Sequence, residues 1–257
     1  MNKCLLCDYY AGAAVEENES SAREYNPEQF DRYLIDAGCV GFVDPPMKLG
    51  EERNGEPVYS PVYFNLRKAS ATVGLLKQTA GWLNDFCDYC EIEGDYFLGV
   101  PYGATKVCIA ANLIYRSNKT KVPMSRKTPK THGDPDSLNY VTAVEKGDRP
   151  IVVEDVKTTA ESLIRELKKT LAVGAEPVAV TLLNRLEKRD DGKNAADIVR
   201  AMGVPYYYMT DAARILPPAF QQLSPEQQDF FGPRVETYYE KYGVIKITAN
   251  NLKRTVF

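Results

Sequence analysis

The sequence predicts an α/β fold with a central parallel sheet flanked by helices, because short apolar stretches and helical stretches alternate along the chain. The predicted strands span residues 95–100, 151–155, 177–183 and 204–208. A second observation concerns their ends, since polar or glycine-bearing turns follow Val100, Val153 and Leu183. Ligand sites of open parallel sheets lie at the carboxyl ends of the strands. We therefore expect the functional site at that edge of the sheet.

Length and composition fit one large domain, or one domain with an added subdomain. The chain has 257 residues, of which 44% are hydrophobic, and this suffices for a sizeable core. Its 32 basic and 35 acidic residues give a net charge of −3 without a basic tail, which argues against nucleic-acid and membrane partners. No apolar run approaches the length of a membrane span, and residues 1–7 are too short for a signal peptide. We expect a cytoplasmic protein.

The six cysteines, at positions 4, 7, 39, 87, 90 and 108, are too sparse for a disulfide scaffold and fit reduced thiols. Cys4 with Cys7, and Cys87 with Cys90, have the spacing of zinc ligand pairs. One interpretation is a structural zinc site formed by these four thiolates. The alternative is that the cysteines are buried as small hydrophobic side chains.

The first structured element predicted is a helix that follows a polar segment. Asn26 is a suitable N-cap, Pro27 occupies the first helical position, and Gly38 ends the helix. Residues 44–57 contain two adjacent prolines and two glycines, which indicates a loop or the tip of an irregular hairpin. Residues 60–67 are rich in aromatic and branched side chains and predict a strand.

The middle of the chain predicts three helices and a long loop. Residues 69–84 place apolar side chains on one helical face, and a turn at 101–104 leads into a second helix that ends at Tyr115. Residues 126–139 have no apolar periodicity and are therefore predicted to form a loop. The third helix follows the predicted strand 151–155 and stops at Gly174.

The C-terminal part predicts two helical regions and a last strand. Residues 194–202 form a capped helix in this interpretation. Ser224, Pro225 and Gln227 mark the start of the second region, with a proline at the first position and a capping box. Residues 243–257 have a strand-like pattern.

An acidic turn follows the predicted strand 151–155. Glu154 and Asp155 lead into Thr158, Thr159 and Ser162 at the start of a helix. The N–H groups and positive dipole end of a helix N-terminus bind phosphate, and carboxylates accept hydrogen bonds from ribose hydroxyls. The stretch therefore suits a sugar phosphate. The alternative is an ordinary acidic turn with a threonine cap.

The second distinctive stretch is a basic loop. It contains Arg126, Lys127, Lys130 and His132, the only histidine of the chain. Arginine and lysine can neutralise charge that develops on a departing phosphate group, and histidine can hydrogen-bond or protonate it. The alternative is a solvated basic loop without a catalytic role.

These stretches resemble orotate phosphoribosyltransferases, which are type I phosphoribosyltransferases. Residues 151–162 are similar to the family signature for 5-phosphoribosyl 1-pyrophosphate (PRPP), a hydrophobic strand followed by two acidic residues and a hydroxyl-rich loop. The other matches are the Gly-Val-Pro-x-Gly loop at 99–103, the Ser-Pro-x-Tyr-Phe-Asn-x-Arg segment at 60–67 and the Arg-Lys-x-x-Lys-x-His-Gly loop at 126–133. The resemblance covers about residues 40 to 215.

The resemblance implies a role for each matched residue. The PRPP-binding residues would be Tyr102, Gly103, Arg126, Glu154, Asp155, Thr158, Thr159, Ala160, Glu161 and Ser162. The orotate-binding residues would be Tyr63, Phe64, Thr158 and Arg185. The catalytic residues would be Asp155, Lys127, Lys130 and His132. Ala160 and Glu161 stand where the family usually has small residues, and Asn184 stands where it typically has aspartate.

The resemblance also implies an architecture and a reaction. A small hood, roughly residues 1–68 plus part of the C-terminal region, would cover a core of roughly 69–215 within a single domain. The enzyme would convert orotate and PRPP into orotidine 5′-monophosphate and pyrophosphate with Mg²⁺, in pyrimidine synthesis, as a homodimer with shared active sites. Two alternatives stay open: a phosphoribosyltransferase for another nucleobase, and a non-catalytic PRPP- or nucleotide-binding regulator. The intact basic loop argues against the regulator.

Overall fold

The computed structural model describes residues 24–53, 55–128, 130–132, 138–189 and 191–254. The strands are β1 (Val40–Arg53), β2 (Glu56–Phe64), β3 (Tyr96–Gly99), β4 (Pro150–Lys157), β5 (Val178–Asn184) and β6 (Tyr206–Asp211). The helices are α1 (Pro27–Asp36), α2 (Val73–Tyr89), α3 (Thr105–Tyr115), α4 (Glu161–Ala172), α5 (Ala195–Ala201), α6 (Ala212–Phe220), α7 (Pro225–Tyr242) and α8 (Ala249–Lys253). A short 3₁₀-helix spans Lys68–Ser70.

Strands β3, β4, β5 and β6 form a parallel sheet in that order. This confirms the predicted α/β fold and all four predicted strands. The central strand β4 is apolar on both faces because helices cover both sides of the sheet. Ile151 and Val153 are buried in one hydrophobic core, whereas Val152 between them is buried in the other. The two cores fix the register of the strand, since a slip by one residue would exchange its faces.

The two cores differ in the elements that build them. The larger core lies between the sheet and residues of α1, α2, α3, α6 and α7, with Phe30, Leu83 and Phe220 fully buried. The smaller core lies under α4 and α5, with Leu163, Leu167 and Val199 fully buried. Within the described ranges, no helix is both long and apolar enough to cross a membrane.

Strands β1 and β2 form a separate antiparallel hairpin. The hairpin is irregular, as predicted for residues 44–57, with register shifts between Phe42 and Met47 and between Lys48 and Glu52. It packs against the C-terminal helices: the ring centroid of Phe42 lies 5.5 Å from that of Phe220 and 5.7 Å from that of Phe231. The hairpin is thereby attached to the same large core as the sheet.

Two features of the C-terminal part differ from the sequence prediction. The strand-like pattern after residue 243 is wrong as a strand, because Thr248 and Asn251 form a capping box that starts α8 and Leu252 is fully buried. Helix α6 was not predicted, since its prolines at 217 and 218 are typical helix breakers. It forms because Asp211 caps it, accepting from the Arg214 N–H at 3.0 Å, and because most of its side chains are buried.

Candidate active site

The carboxyl end of β4 meets the turn after β3 through a very close contact. An ideal Cβ built on Gly103 would lie 2.0 Å from Oδ2 of Asp155, so only glycine permits this approach. The backbone N–H of Val100 also donates to the carbonyl of Val153 at 2.8 Å. The predicted pyrophosphate loop and the predicted acidic turn are therefore adjacent. Burial raises the pKa of Asp155, and the Val156 N–H and the charge of Arg67 partly oppose this.

Glu154 faces the smaller core, which lies under α4 and α5, and it is nearly inaccessible, with 3% of its surface exposed. The Ser162 hydroxyl donates to its carboxylate oxygen Oε1, which ties the first turn of α4 to the strand. Two predicted PRPP-binding residues are thus in contact with each other. The Glu154 carboxylate stabilises the loop that joins β4 to α4, while the half-buried Asp155 carboxylate lies beside the turn after β3.

The loop before α4 has an unusual N-cap. Ala160 occupies that position in the left-handed conformation, with φ +59°, and has no side chain that could cap the helix. A threonine cap, the alternative that the sequence left open, is therefore wrong. The conformation costs an alanine roughly 1–2 kcal/mol more than a glycine, which explains why a small, flexible residue suits this position. The N–H groups of the first turn receive no side-chain cap and can face an anion.

Thr158 and Thr159 complete this loop, and an arginine that the sequence analysis did not single out supports it. Nη1 of Arg189 donates to the carbonyl oxygen of Thr159 at 2.9 Å. Glu161 is exposed in the first turn of α4, where a negative charge interacts favourably with the helix dipole. The predicted phosphate loop is thus held from β4, α4 and the segment after β5.

Lys157, at the last position of β4, was also missed by the sequence analysis. Its side chain is almost fully buried, and its Nζ atom lies 5.7 Å from the ring centroid of Tyr206 and makes no hydrogen bond with the described residues. Burial lowers the pKa of Lys157 to about 8, and the charges of Glu154 and Glu187 oppose the shift. A cation therefore lies beneath the acidic turn, where it offsets part of the buried negative charge.

The pKa of Lys157 predicts a pH dependence of stability. The folded-state pKa lies below the unfolded value of about 10.4, so the cost of burying the ammonium is complete below pH 8 and declines as the pH rises toward 10.4. In urea unfolding of the wild type and Lys157→Met, the difference in free energy of unfolding should shift in favour of the wild type by on the order of 2 kcal/mol between pH 7 and pH 10.

The exposed Lys168 on α4 offers the matched control. The variant Lys168→Met should keep a constant difference from the wild type across the same pH range. A constant difference for Lys157→Met as well would mean that Lys157 keeps an ordinary pKa in the folded protein.

Arg185 follows β5, and its guanidinium is buried in a polar network. Nε donates to Oε1 of Glu187 at 2.6 Å, and Nη2 donates to Oγ of Ser60 and to the Tyr238 hydroxyl, each at 3.1 Å. Burial favours the neutral form, but the charge of Glu187 outweighs burial and raises the pKa of Arg185. The guanidinium carbon lies 5.2 Å from the ring centroid of Phe64. The structure thus brings two predicted orotate-binding residues together.

The neighbouring aromatic residue, Tyr63, is half-buried at the end of β2. Its hydroxyl accepts a hydrogen bond from Nδ2 of Asn65, and Nζ of Lys68 lies 5.7 Å from its ring centroid. Successive residues of a strand point to opposite faces, so Phe64 contacts Arg185 while Tyr63 is oriented by Asn65 and Lys68.

The predicted basic loop is anchored at its base. Ser125 forms an antiparallel bridge with Tyr140, and the Ser125 hydroxyl donates to Oε2 of the buried Glu166 at 2.7 Å. Nζ of Lys169 contacts the same carboxylate oxygen at 2.6 Å and donates to the carbonyl of Arg126 at 3.2 Å. The loop therefore starts beside α4, at residues one to two turns beyond the helix N-terminus.

Three side chains of the basic loop, those of Lys127, Lys130 and His132, are exposed. Lys127, Lys130 and His132 form no ion pair or side-chain hydrogen bond with the described residues. Pro129 and residues 133–137 lie outside the described residues. In the part of the chain that it describes, the structure shows no contact between these three side chains and the acidic turn of the same chain.

The cysteine pairs are only partly described. Cys87 is buried and Cys90 partly so, and burial raises the pKa of Cys87 to about 12. Cys4 and Cys7 lie outside the described residues, so the zinc site stays a prediction. Among the residues that the structure describes, no cluster of three or more His, Cys, Asp or Glu side chains could hold a metal ion.

Comparisons with known proteins agree with this geometry. No model of a protein family matches the sequence. The chain overlays the crystal structure of an orotate phosphoribosyltransferase from Francisella tularensis with a TM-score of 0.62 and 18% identity, over 86% of this chain and 98% of that one. It also overlays an adenine phosphoribosyltransferase from Leishmania donovani, with a TM-score of 0.51 and 12% identity, over 74% and 83% of the two chains. The chain has the type I phosphoribosyltransferase fold.

The sequence comparison is more specific than the fold. An orotate phosphoribosyltransferase from Bordetella petrii is 29% identical over 230 residues, which are 84% of this chain and 96% of that protein. The similarity thus extends over most of both chains and includes the stretches that carry the motifs. It confirms the resemblance to orotate phosphoribosyltransferases.

Proposed function

We propose that the protein transfers the 5-phosphoribosyl group from PRPP to orotate, giving orotidine 5′-monophosphate and pyrophosphate for pyrimidine nucleotide biosynthesis. The observation that carries this proposal is the contact between Asp155 and Gly103, beside the uncapped N-terminus of α4. A carboxylate, a backbone turn and a helix N-terminus are thus available at the carboxyl ends of β3 and β4. These are the groups that ribose hydroxyls, a pyrophosphate and a 5′-phosphate require.

In this proposal, different residues bind different parts of PRPP. The 5′-phosphate binds the N–H groups of residues 160–162 and the hydroxyl of Thr158 or Thr159. Asp155 accepts hydrogen bonds from the ribose hydroxyls, and Glu154 keeps the phosphate loop in position through Ser162. Tyr102 and Gly103 present backbone groups to the pyrophosphate. The observed contacts of Glu154 support a positioning role for this residue beside the ligand-binding role of Asp155.

The base-binding part of the proposal rests on Arg185, Phe64 and Tyr63. Arg185 has the planar donor arrangement that recognises carboxylate and carbonyl oxygens, and its Nη1 atom has no partner among the described residues. Phe64 offers an aromatic surface beside the guanidinium. An anionic planar base such as orotate matches both groups.

Charge neutralisation completes the proposed mechanism. When bound, Mg²⁺ would supply positive charge to the pyrophosphate, and the residue that fits it is Asp155, because Mg²⁺ uses few carboxylates together with substrate phosphates. Arg126, Lys127 and Lys130 would neutralise the charge on the leaving pyrophosphate, and His132 would donate a hydrogen bond to it. Closure of the basic loop would exclude water from the ribosyl group as its bond to pyrophosphate breaks.

We also propose a homodimer in the cytoplasm. Helix α3 leaves Leu113 and Ile114 exposed, with Ile109 and Ala110 one turn earlier on the same face, and such an apolar surface suits a contact with a second copy. The basic loop carries the exposed side chains of Lys127, Lys130 and His132, which suits a role at a neighbouring active site. The free thiols of Cys39, Cys87, Cys90 and Cys108 fit a reducing compartment.

The direct test is an assay of orotate consumption with PRPP and Mg²⁺, made with the wild type and Asp155→Asn. The substitution should lower kcat/KM roughly 10- to 100-fold, because hydrogen bonds to a charged group contribute about 1.5–3 kcal/mol. It should not lower the melting temperature at neutral pH. The raised pKa of Asp155 means that its charged form is disfavoured in the folded state, so the neutral amide removes a cost.

The exposed Asp36 at the end of α1 provides the control, and Asp36→Asn should retain wild-type activity. A panel of nucleobases tests the substrate. Transfer to a purine with no reaction of orotate would overturn the base assignment, and PRPP binding without any transfer would favour the non-catalytic regulator.

A further inference from the structure

The base site receives a contribution from the C-terminal helix α7, which lies outside the part of the chain that carries the family motifs. Tyr238 of α7 is buried, and its hydroxyl donates to Oε1 of Glu187 at 2.8 Å. The same hydroxyl oxygen accepts a hydrogen bond from Nη2 of Arg185 at 3.1 Å. Tyr238 therefore closes a ring of contacts with the arginine and its counter-ion.

The hydrogen bonds of Arg185 can be assigned atom by atom. Nε donates to Glu187, and the two hydrogens of Nη2 go to Tyr238 and Ser60. Ser60 acts as an acceptor here, since its own hydroxyl donates to the carbonyl of Val62 at 2.7 Å. Two of the three nitrogens are thus held by the protein. Nη1 is the nitrogen left without a partner among the described residues, and it is the donor available to a ligand.

We propose that Tyr238 is a positioning residue for the base: together with Ser60 it fixes the guanidinium of Arg185 so that Nη1 serves as the donor to an acceptor oxygen of orotate beside Phe64. The inference rests on the proposed function. It adds that α7 determines the orientation of the base-binding arginine. It also adds that the Tyr238 hydroxyl, which bonds to Arg185 and Glu187 but to none of the described PRPP-binding residues, affects the base substrate selectively.

Tyr239 provides a matched control in the same helix. Its side chain is 1% exposed, and its ring centroid lies 5.4 Å from that of Tyr238. Unlike Tyr238, its hydroxyl makes no hydrogen bond with the described residues. Tyr239→Phe removes a buried hydroxyl of the same kind without removing a contact to Arg185.

The experiment compares initial rates of the wild type, Tyr238→Phe and Tyr239→Phe with orotate, PRPP and Mg²⁺. We expect Tyr238→Phe to raise KM for orotate roughly tenfold, as loss of one hydrogen bond to a charged group would do. KM for PRPP should stay within about twofold of the wild type. Tyr239→Phe should match the wild type for both substrates. Ser60→Ala removes the other acceptor of Nη2 and should repeat the selective effect on orotate, which keeps the test valid if Tyr238→Phe folds poorly.

The outcomes separate the inference from the proposed function. Suppose that the wild type consumes orotate but that the KM for orotate of Tyr238→Phe and Ser60→Ala equals that of Tyr239→Phe. These residues are then only structural, and the inference is overturned. The same conclusion follows if KM rises equally for orotate and PRPP. If the wild type does not consume orotate at all, the proposed function fails and the inference falls with it.

Discussion

Gly103→Ala is expected to lower kcat/KM for both substrates by on the order of a hundredfold or more while the protein stays folded. The added methyl carbon would lie 2.0 Å from Oδ2 and 2.2 Å from Cγ of Asp155. Real Cβ contacts never approach this closely, so the carboxylate or the turn must move. Because the aspartate side chain is short, its carboxylate cannot avoid the methyl group without being displaced. A displacement of about 1 Å in a positioned group lowers the rate about a hundredfold.

A second glycine separates this local effect from a general loss of backbone freedom. Gly50 in β1 has no atom within 4 Å of an added Cβ, so Gly50→Ala should retain wild-type activity. The two variants are compared by steady-state rates and by thermal unfolding. Full activity of Gly103→Ala would show that the turn can move without affecting the site, and that the contact with Asp155 is not part of the PRPP site.

The parallel sheet was predictable because each strand has a local signal. Short continuous apolar runs of β-branched residues, such as Ile151 to Val153, are typical of strands in a sheet covered on both faces. The helix starts at Asn26 and Ser224 were equally local, since a capping side chain bonds within its own first turn. The structure confirms both starts.

The missed residues depend on contacts between distant parts of the chain. Lys157 follows an acidic pair at a strand end, and no local pattern in the sequence marks it as buried. The Lys157 side chain is buried against residues such as Tyr206, which lies almost fifty residues further along the chain. Tyr238 is 53 residues from Arg185 and 51 from Glu187. No spacing rule for a single helix or strand connects such positions, so only the tertiary structure reveals the network.

In the proposed homodimer, we expect each active site to be shared between the two subunits. The base of the basic loop is bound to Glu166 and Lys169, and Lys169 lies about 12 Å along the axis from the first residue of α4. The side chains of Lys127, Lys130 and His132 then lie exposed, without ion pairs or side-chain hydrogen bonds to the described residues of their own chain. An exposed basic loop of this kind can complete a neighbouring site.

Two variants of low activity test this arrangement. Asp155→Asn has an intact loop, and Lys130→Ala has an intact acidic turn. When equal amounts exchange subunits at random, about half of the dimers are heterodimers, and in a shared-site dimer one of the two sites has both intact parts. The mixture should therefore reach about a quarter of wild-type activity, far above the sum of the parents.

The converse experiment uses a chain that carries both substitutions, mixed with an equal amount of the wild type. In a shared-site dimer neither site of a heterodimer has two intact parts, so activity per wild-type chain should fall to about half after exchange. If each loop serves its own chain, every wild-type chain keeps a complete site and activity does not change. Exchange is checked with differently tagged chains. Constant activity here, together with no recovery in the first mixture, would mean that Lys130 acts on the acidic turn of its own subunit.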